Sequence, residues 1–260
     1  MSRQLACRTG WSVSFLALII TFVCLAPLGC GSDNEPELPR LRDNYGATVQ
    51  IFNGTGGHGS GVAISHCGHI LTNEHVVDDI SPQPIMVNVY GETEQFEATV
   101  LATDTEHDLA IIQINYVFER VVLIANDEQS IYPGDESYSI GFPHNFGRTL
   151  SRGYIRQLTY SIDLPDTPPM TRDAFMLRQR QEPGTSGAGI YAVRNGQLIA
   201  LMSTGMWTGN HMLHLLPDEL VVPLRHIRPF LEAERIPFCH PPLPVQQQVR
   251  TTLRSWLQLD

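Results

Sequence analysis

Short apolar runs broken at close intervals by turn residues constrain the fold of this chain more than any other feature. Ala47-Thr48-Val49-Gln50-Ile51-Phe52 reads as a strand, a Gly-rich turn follows, and Gly61-Val62-Ala63-Ile64-Ser65 reads as the next. A turn at His66-Cys67-Gly68-His69 leads into Ile70-Leu71-Thr72. The pattern continues through Ile85–Tyr90, Gln95–Ala102, Leu109–Ile114, Ser137–Ile140, Gly153–Leu158, Ala174–Leu177, Gly189–Val193 and Gln197–Ser203. With 21 Gly and 18 Pro spread along the chain, this spacing predicts an all-β sandwich or barrel. Only Pro223 to about Glu234 carries a helical period, with Leu224, Ile227, Phe230 and Leu231 on one face. No internal repeat of fixed period is visible.

The N-terminus predicts export. Arg3 and Arg8 precede an apolar run from Val13 to Leu28, which is short for a durable membrane span. Leu28-Gly29-Cys30 resembles the lipobox of bacterial lipoproteins, in which the cysteine is acylated; Pro27 is unusual in it. Residues 1–29 thus read as a lipoprotein-type signal peptide and Cys30 as the lipidation site, with an ordinary cleaved signal as the alternative. Residues 30–44 are polar and read as a linker. Cys7 and Cys24 would leave with the signal. Cys67 and Cys239 remain, and in an oxidising compartment they could pair. The expected location is the cell envelope or periplasm, with membrane attachment through the lipid.

The net charge is −10, and all 17 basic residues are Arg. A nucleic-acid partner would call for a basic face, so none is expected.

Three segments carry chemistry. Thr72-Asn73-Glu74-His75-Val76 places a His at a strand end, where a helical turn can begin. His107-Asp108-Leu109-Ala110 places an Asp at the entry to an apolar strand. Glu182-Pro183-Gly184-Thr185-Ser186-Gly187 places a Ser in a Gly-flanked turn. A serine hydroxyl is a poor nucleophile, so an imidazole must take its proton. The imidazole needs a carboxylate on its other nitrogen to fix its tautomer. The oxyanion that forms needs amide N–H donors already aimed at it, and Gly184 can adopt the backbone conformation that supplies one.

These motifs resemble the trypsin-like (chymotrypsin-fold) serine proteases, nearest to the bacterial Deg/HtrA type. They occur in that family's order of His, Asp, Ser, separated by 33 and 78 residues. The resemblance spans about 45–234 and implies two packed six-stranded antiparallel β-barrels, divided near 125–135, with a short C-terminal helix. It implies His75 as general base, Asp108 as its orienting partner, Ser186 as nucleophile, and the amides of Gly184 and Ser186 as oxyanion hole. It also implies that Ser203, Thr204 and Gly205 line the primary pocket, with Arg180 near its base. Arg180 there suggests a preference for acidic or polar side chains, whereas Met202 and Met206 could make the pocket apolar. Protein or peptide substrates follow, and no cofactor or metal.

The departures are informative. Gly187-Ala188-Gly189 replaces the family's frequent Gly-Gly after the serine, adding one methyl. Thr185 stands where digestive relatives carry an Asp, which argues against activation by insertion of a freed N-terminus. Residues 235–260 read as a tail, too short for the PDZ domain that Deg-type proteins usually append.

Other patterns resolve into bland readings. Gly54-Thr55-Gly56-Gly57-His58-Gly59 fits a dinucleotide fingerprint, but a strand follows where a helix is required. His58, His66, Cys67 and His69 match no compact zinc spacing. A hydrolase elbow at Ser186 would need the acid and His after the serine. The remaining rival from another class is a catalytically silent peptide-binding relative of the same fold.

Overall fold

The computed structural model describes residues 38–78, 83–164, 170–179, 182–203 and 219–236. A first helix, α1 (Leu41–Ala47), leads directly into β1 (Thr48–Phe52). Then come β2 (His58–Ala63), β3 (His69–Thr72), the one-turn helix α2 (Glu74–Val77), β4 (Ile85–Asn88), β5 (Gln95–Asp104) and β6 (Leu109–Ile114). These strands close into a barrel in the order β1-β2-β3-β6-β5-β4, antiparallel throughout. Residues 115–135 run on to the second set. It comprises β7 (Glu136–Gly141), β8 (Thr149–Leu164), β9 (Met170–Arg178), β10 (Gly189–Ala192), β11 (Leu198–Met202) and β12 (Glu219–Pro223), followed by α3 (Leu224–Ala233). This barrel closes as β10-β11-β12-β9-β8-β7.

The fold is therefore the expected pair of six-stranded antiparallel barrels with a C-terminal helix. Strand order is the same in both barrels, although no sequence repeat betrays it. Closure pairs β1 with β4 and β7 with β10, the strands that would be the edges of an open sheet, and both barrels bury mainly apolar side chains. Val49, Ile51, Val62, Ile70, Leu71, Val87 and Ile111 belong to the buried cluster of the first barrel; Ile155, Phe175, Leu177, Ile190, Ile199 and Val221 belong to that of the second. Tyr138, Ile140, Tyr191 and Leu201 of the second barrel pack into the core cluster of the first, so a continuous apolar seam joins the two.

Three local expectations change. The segment read as linker up to Asn44 carries most of α1. Asn44 is buried and donates from Nδ2 to Tyr138 Oη and to the Gly196 carbonyl, both at 2.8 Å. The polar character that suggested a linker is used to tie α1 to the second barrel. Strand β12 carries little signal in the sequence, because its apolar run is only Leu220-Val221-Val222 and ends on a proline. That proline sits at the strand's last position, where its missing N–H costs little. Strands β8 and β9 extend beyond the apolar runs that marked them, because they pair with each other as a long ribbon. At such length their register needs no continuous apolar face.

Candidate active site

Each motif lands at a junction between elements. Strand β3 ends at Thr72, Asn73 is the N-cap, and His75 is the second residue of α2. Asp108 immediately precedes β6, and Ser186 sits in the turn before β10.

The Asp108 side chain is fully buried and is held by three donors. His75 Nδ1 lies 2.9 Å from both carboxylate oxygens. The backbone N–H of His75 donates to Oδ1 at 3.1 Å, so the same carboxylate also caps α2. Ser203 Oγ donates to Oδ2 at 2.5 Å. An ionised carboxylate only accepts, so Nδ1 of His75 must carry the proton and Nε2 keeps its lone pair for another partner. The backbone of Asp108 adopts φ 56°, a left-handed conformation uncommon outside glycine. Asn73 Nδ2 donates to the Asp108 carbonyl at 2.9 Å and stabilises it there. A buried charge with this many donors offsets much of its desolvation cost.

The Ser186 turn is pressed onto the first barrel. The Ser186 carbonyl accepts from the N–H of Ser60 on β2 at 2.7 Å. Gly187 has φ 82°, and a Cβ there would lie 2.0 Å from the Ser60 carbonyl oxygen. Gly184 has φ 97°, and a Cβ there would meet His58 Nε2 at 2.2 Å and the Phe142 carbonyl oxygen at 2.5 Å. Both glycines are thus required twice over, by conformation and by space. The hydroxyl of Ser60 donates to the Gly184 carbonyl at 2.9 Å and accepts from the Phe142 N–H at 3.1 Å. The Gly184 carbonyl is thereby turned into the protein, and its N–H finds no carbonyl acceptor among the described residues. Gly59, next to Ser60 on β2, packs against both sides: a Cβ there would lie 2.7 Å from a Val76 methyl and 3.2 Å from the Ser186 carbonyl oxygen. The neighbour of His75 and the turn of Ser186 therefore meet across one glycine.

Of the sequence-predicted residues, hydrogen bonds join His75, Asp108 and Ser203, while Gly184 and Ser186 are held on Ser60 of the first barrel. Arg180, Thr204, Gly205 and Cys30 lie outside the described residues. Sequence reading had not singled out Asn73 and Ser60 as individual supports. Their only signal was membership in the Thr72-Asn73 and Gly59-Ser60-Gly61 runs. Cys67 is disulfide-bonded.

Two six-stranded barrels with an imidazole, a buried carboxylate and a glycine-flanked serine turn at their junction define the class of two-barrel serine peptidases. The sequence model of the trypsin-like peptidase domain family matches residues 59–201, and the chain belongs to that family. Among curated relatives, it is 35% identical over 97 residues to the serine endoprotease DegS of Salmonella typhimurium, covering 37% of this chain and 26% of that one. It is 29% identical over 148 residues to the periplasmic pH-dependent serine endoprotease DegQ of Escherichia coli, covering 56% and 30%. The chain thus spans less than a third of the length of these relatives. Among solved structures, the active form of the Rv3671c protease from M. tuberculosis superposes with a TM-score of 0.63 at 21% identity, covering 79% of this chain and 87% of that one. The serine endoprotease from Yersinia pestis gives 0.59 at 23% identity, covering 74% and 64%. At these identities both likenesses speak for the fold.

Proposed function

We propose that this chain is a serine endopeptidase that cleaves exported proteins through an acyl-enzyme. His75 is the general base, Asp108 its orienting partner and Ser186 the nucleophile. The reading rests above all on the buried Asp108 carboxylate, which fixes the His75 proton on Nδ1. Nε2 then takes the proton of Ser186 Oγ as the oxygen attacks the scissile carbonyl carbon. The amides of Gly184 and Ser186 stabilise the oxyanion; one such donor typically contributes about 2.7–4 kcal/mol in the transition state. The amine leaves with the proton from His75, and water, deprotonated by the same imidazole, releases the acid. Ser203, Thr204, Gly205 and Arg180 are proposed to line the substrate pocket, Ser203 through its backbone, because its hydroxyl is engaged by Asp108.

The proposed setting is the cell envelope, in quality control or processing of exported proteins, with Cys30 as lipid anchor. The export signal in the sequence and the periplasmic designation of relatives such as DegQ support it. A fluorophosphonate probe tests the chemistry. It should label the wild type and not Ser186→Ala, and only the wild type should degrade an unfolded protein. An unlabelled wild type that still binds peptide would overturn the enzyme reading in favour of a silent binder.

A further inference from the structure

The N–H of Gly184 can stabilise an oxyanion only if the peptide that carries it is held in one orientation. The carbonyl of that peptide, on Pro183, accepts from the His144 N–H at 2.8 Å. In a trans peptide the N–H points the opposite way, so this bond aims the Gly184 N–H away from His144. The next carbonyl, that of Gly184 itself, accepts from Ser60 Oγ at 2.9 Å. Between these two anchored peptides stands a glycine at φ 97°, and glycine rotates about its backbone more freely than any other residue.

The space that a side chain on Gly184 would take is filled by His58. A Cβ there would overlap Nε2 and Cδ2 of the imidazole. His58 opens β2 and pairs with Phe52 of β1, and the two rings lie 6.4 Å apart. Two residues on, the Ser60 N–H donates to the Ser186 carbonyl at 2.7 Å, which fixes β2 against the serine turn. The imidazole is therefore carried by the first barrel and pressed onto a turn of the second.

Nε2 of His58 is buried and has no hydrogen-bond partner among the described residues. Leaving a buried polar atom unpaired is costly, and an atom so placed beside an oxyanion donor calls for a functional reason. The contact also selects the tautomer. A proton on Nε2 would be driven against the α-carbon of Gly184, whereas a lone pair there accepts an α-hydrogen in a weak contact. Nδ1 then carries the proton.

We propose that His58 is a positioning residue for the oxyanion hole. Its ring, with the Nε2 lone pair turned to Gly184, stands in for the side chain that glycine lacks. It blocks the rotation that would swing the Gly184 N–H off the reacting carbonyl. This role rests on the endopeptidase reading, because it acts through Gly184 and not on the substrate.

Kinetics and spectra of the purified chain test it. His58→Ala should lower kcat about 10-fold, with KM within about twofold of wild type. The rate of fluorophosphonate labelling should fall by a similar factor. In His58→Gln an amide oxygen can take the place of Nε2, so kcat should recover to within about threefold of wild type. A lower Tm in His58→Ala with kcat unchanged would make the ring a structural wedge only and overturn the role. A His58→Gln no better than His58→Ala would overturn the lone-pair contact. Independently of activity, nitrogen NMR spectra of the imidazole at about pH 8 should show the His58 proton on Nδ1 and none on Nε2; the reverse overturns the contact. A wild type that no fluorophosphonate labels would sink the endopeptidase reading itself, whereas a labelled wild type beside a fully active His58→Ala would sink His58 alone.

Discussion

Ser203 Oγ donates to Asp108 Oδ2 at 2.5 Å, and this bond joins the barrels at the point of chemistry. Asp108 enters the last strand of the first barrel, whereas Ser203 leaves β11 of the second. The carboxylate that faces His75 is thus held from both halves of the molecule.

Replacing Ser203 by Ala should leave one face of a fully buried carboxylate without its donor. An unsatisfied buried group of this kind costs about 1–3 kcal/mol. The expected loss is a roughly 5- to 100-fold lower kcat with a small change in KM. Steady-state kinetics on a peptide substrate would check this. A large rise in KM at unchanged kcat would instead mark Ser203 as a substrate contact.

Gly187→Ala should be severe. The new Cβ would sit 2.0 Å from the Ser60 carbonyl oxygen at a φ of 82°, so strain and clash add. A loss of about 3 kcal/mol or more is expected, lowering Tm by roughly 6 °C or more. A thermal melt of this variant within about 2 °C of wild type would show that the turn can move off β2 at little cost.

Arg148 packs between the barrels. Its guanidinium lies 4.6–5.1 Å from the ring centroids of Tyr45, Tyr90 and Phe142, and it donates from Nη2 to the Thr48 carbonyl at 2.8 Å. Lys keeps the charge but loses the planar stacking and the fixed fork. Arg148→Lys should destabilise by about 1–2 kcal/mol, or roughly 2–8 °C in Tm. Equal melting temperatures would remove Arg148 from the contacts that hold the barrels together.

His69 predicts a pH dependence of stability. Burial lowers its pKa below the ordinary value of 6.5. Its Nδ1 lies 2.7 Å from Ser65 Oγ. As pH falls below 6.5 the unfolded chain binds this proton more readily than the folded one, so stability falls. The loss is complete once pH drops below the folded-state pKa, and no change is due to His69 well above 6.5. Melting curves from about pH 8 to about pH 5 should therefore slope downward more in wild type than in His69→Asn. Parallel curves would remove His69 as the cause.

The reach of the sequence differs between fold and site. Strands with compact apolar runs, such as Leu109–Ile114, are legible because burial on both faces leaves them almost wholly apolar, with Gln113 the one polar residue in that run. The long β8–β9 ribbon is legible only at Gly153–Leu158 and Ala174–Leu177, since its farther end is held by strand pairing rather than marked by an apolar run. Helix α1 was hidden for a related reason. Its stability comes from Asn44 reaching Tyr138 and Gly196, 94 and 152 residues away.

By itself the sequence determined which residues could do the chemistry and in what order. His, Asp and Ser motifs are local, each written in four to six neighbouring residues, and a local code survives reading in one dimension. Tertiary structure alone decided how Asp108 is held. Its carbonyl is clasped by Asn73 and its carboxylate by Ser203, contacts that span 35 and 95 residues. Hydrogen bonds at that separation leave no spacing rule in the chain, because the first exists only once β3 and β6 have paired and the second only once the two barrels have packed together.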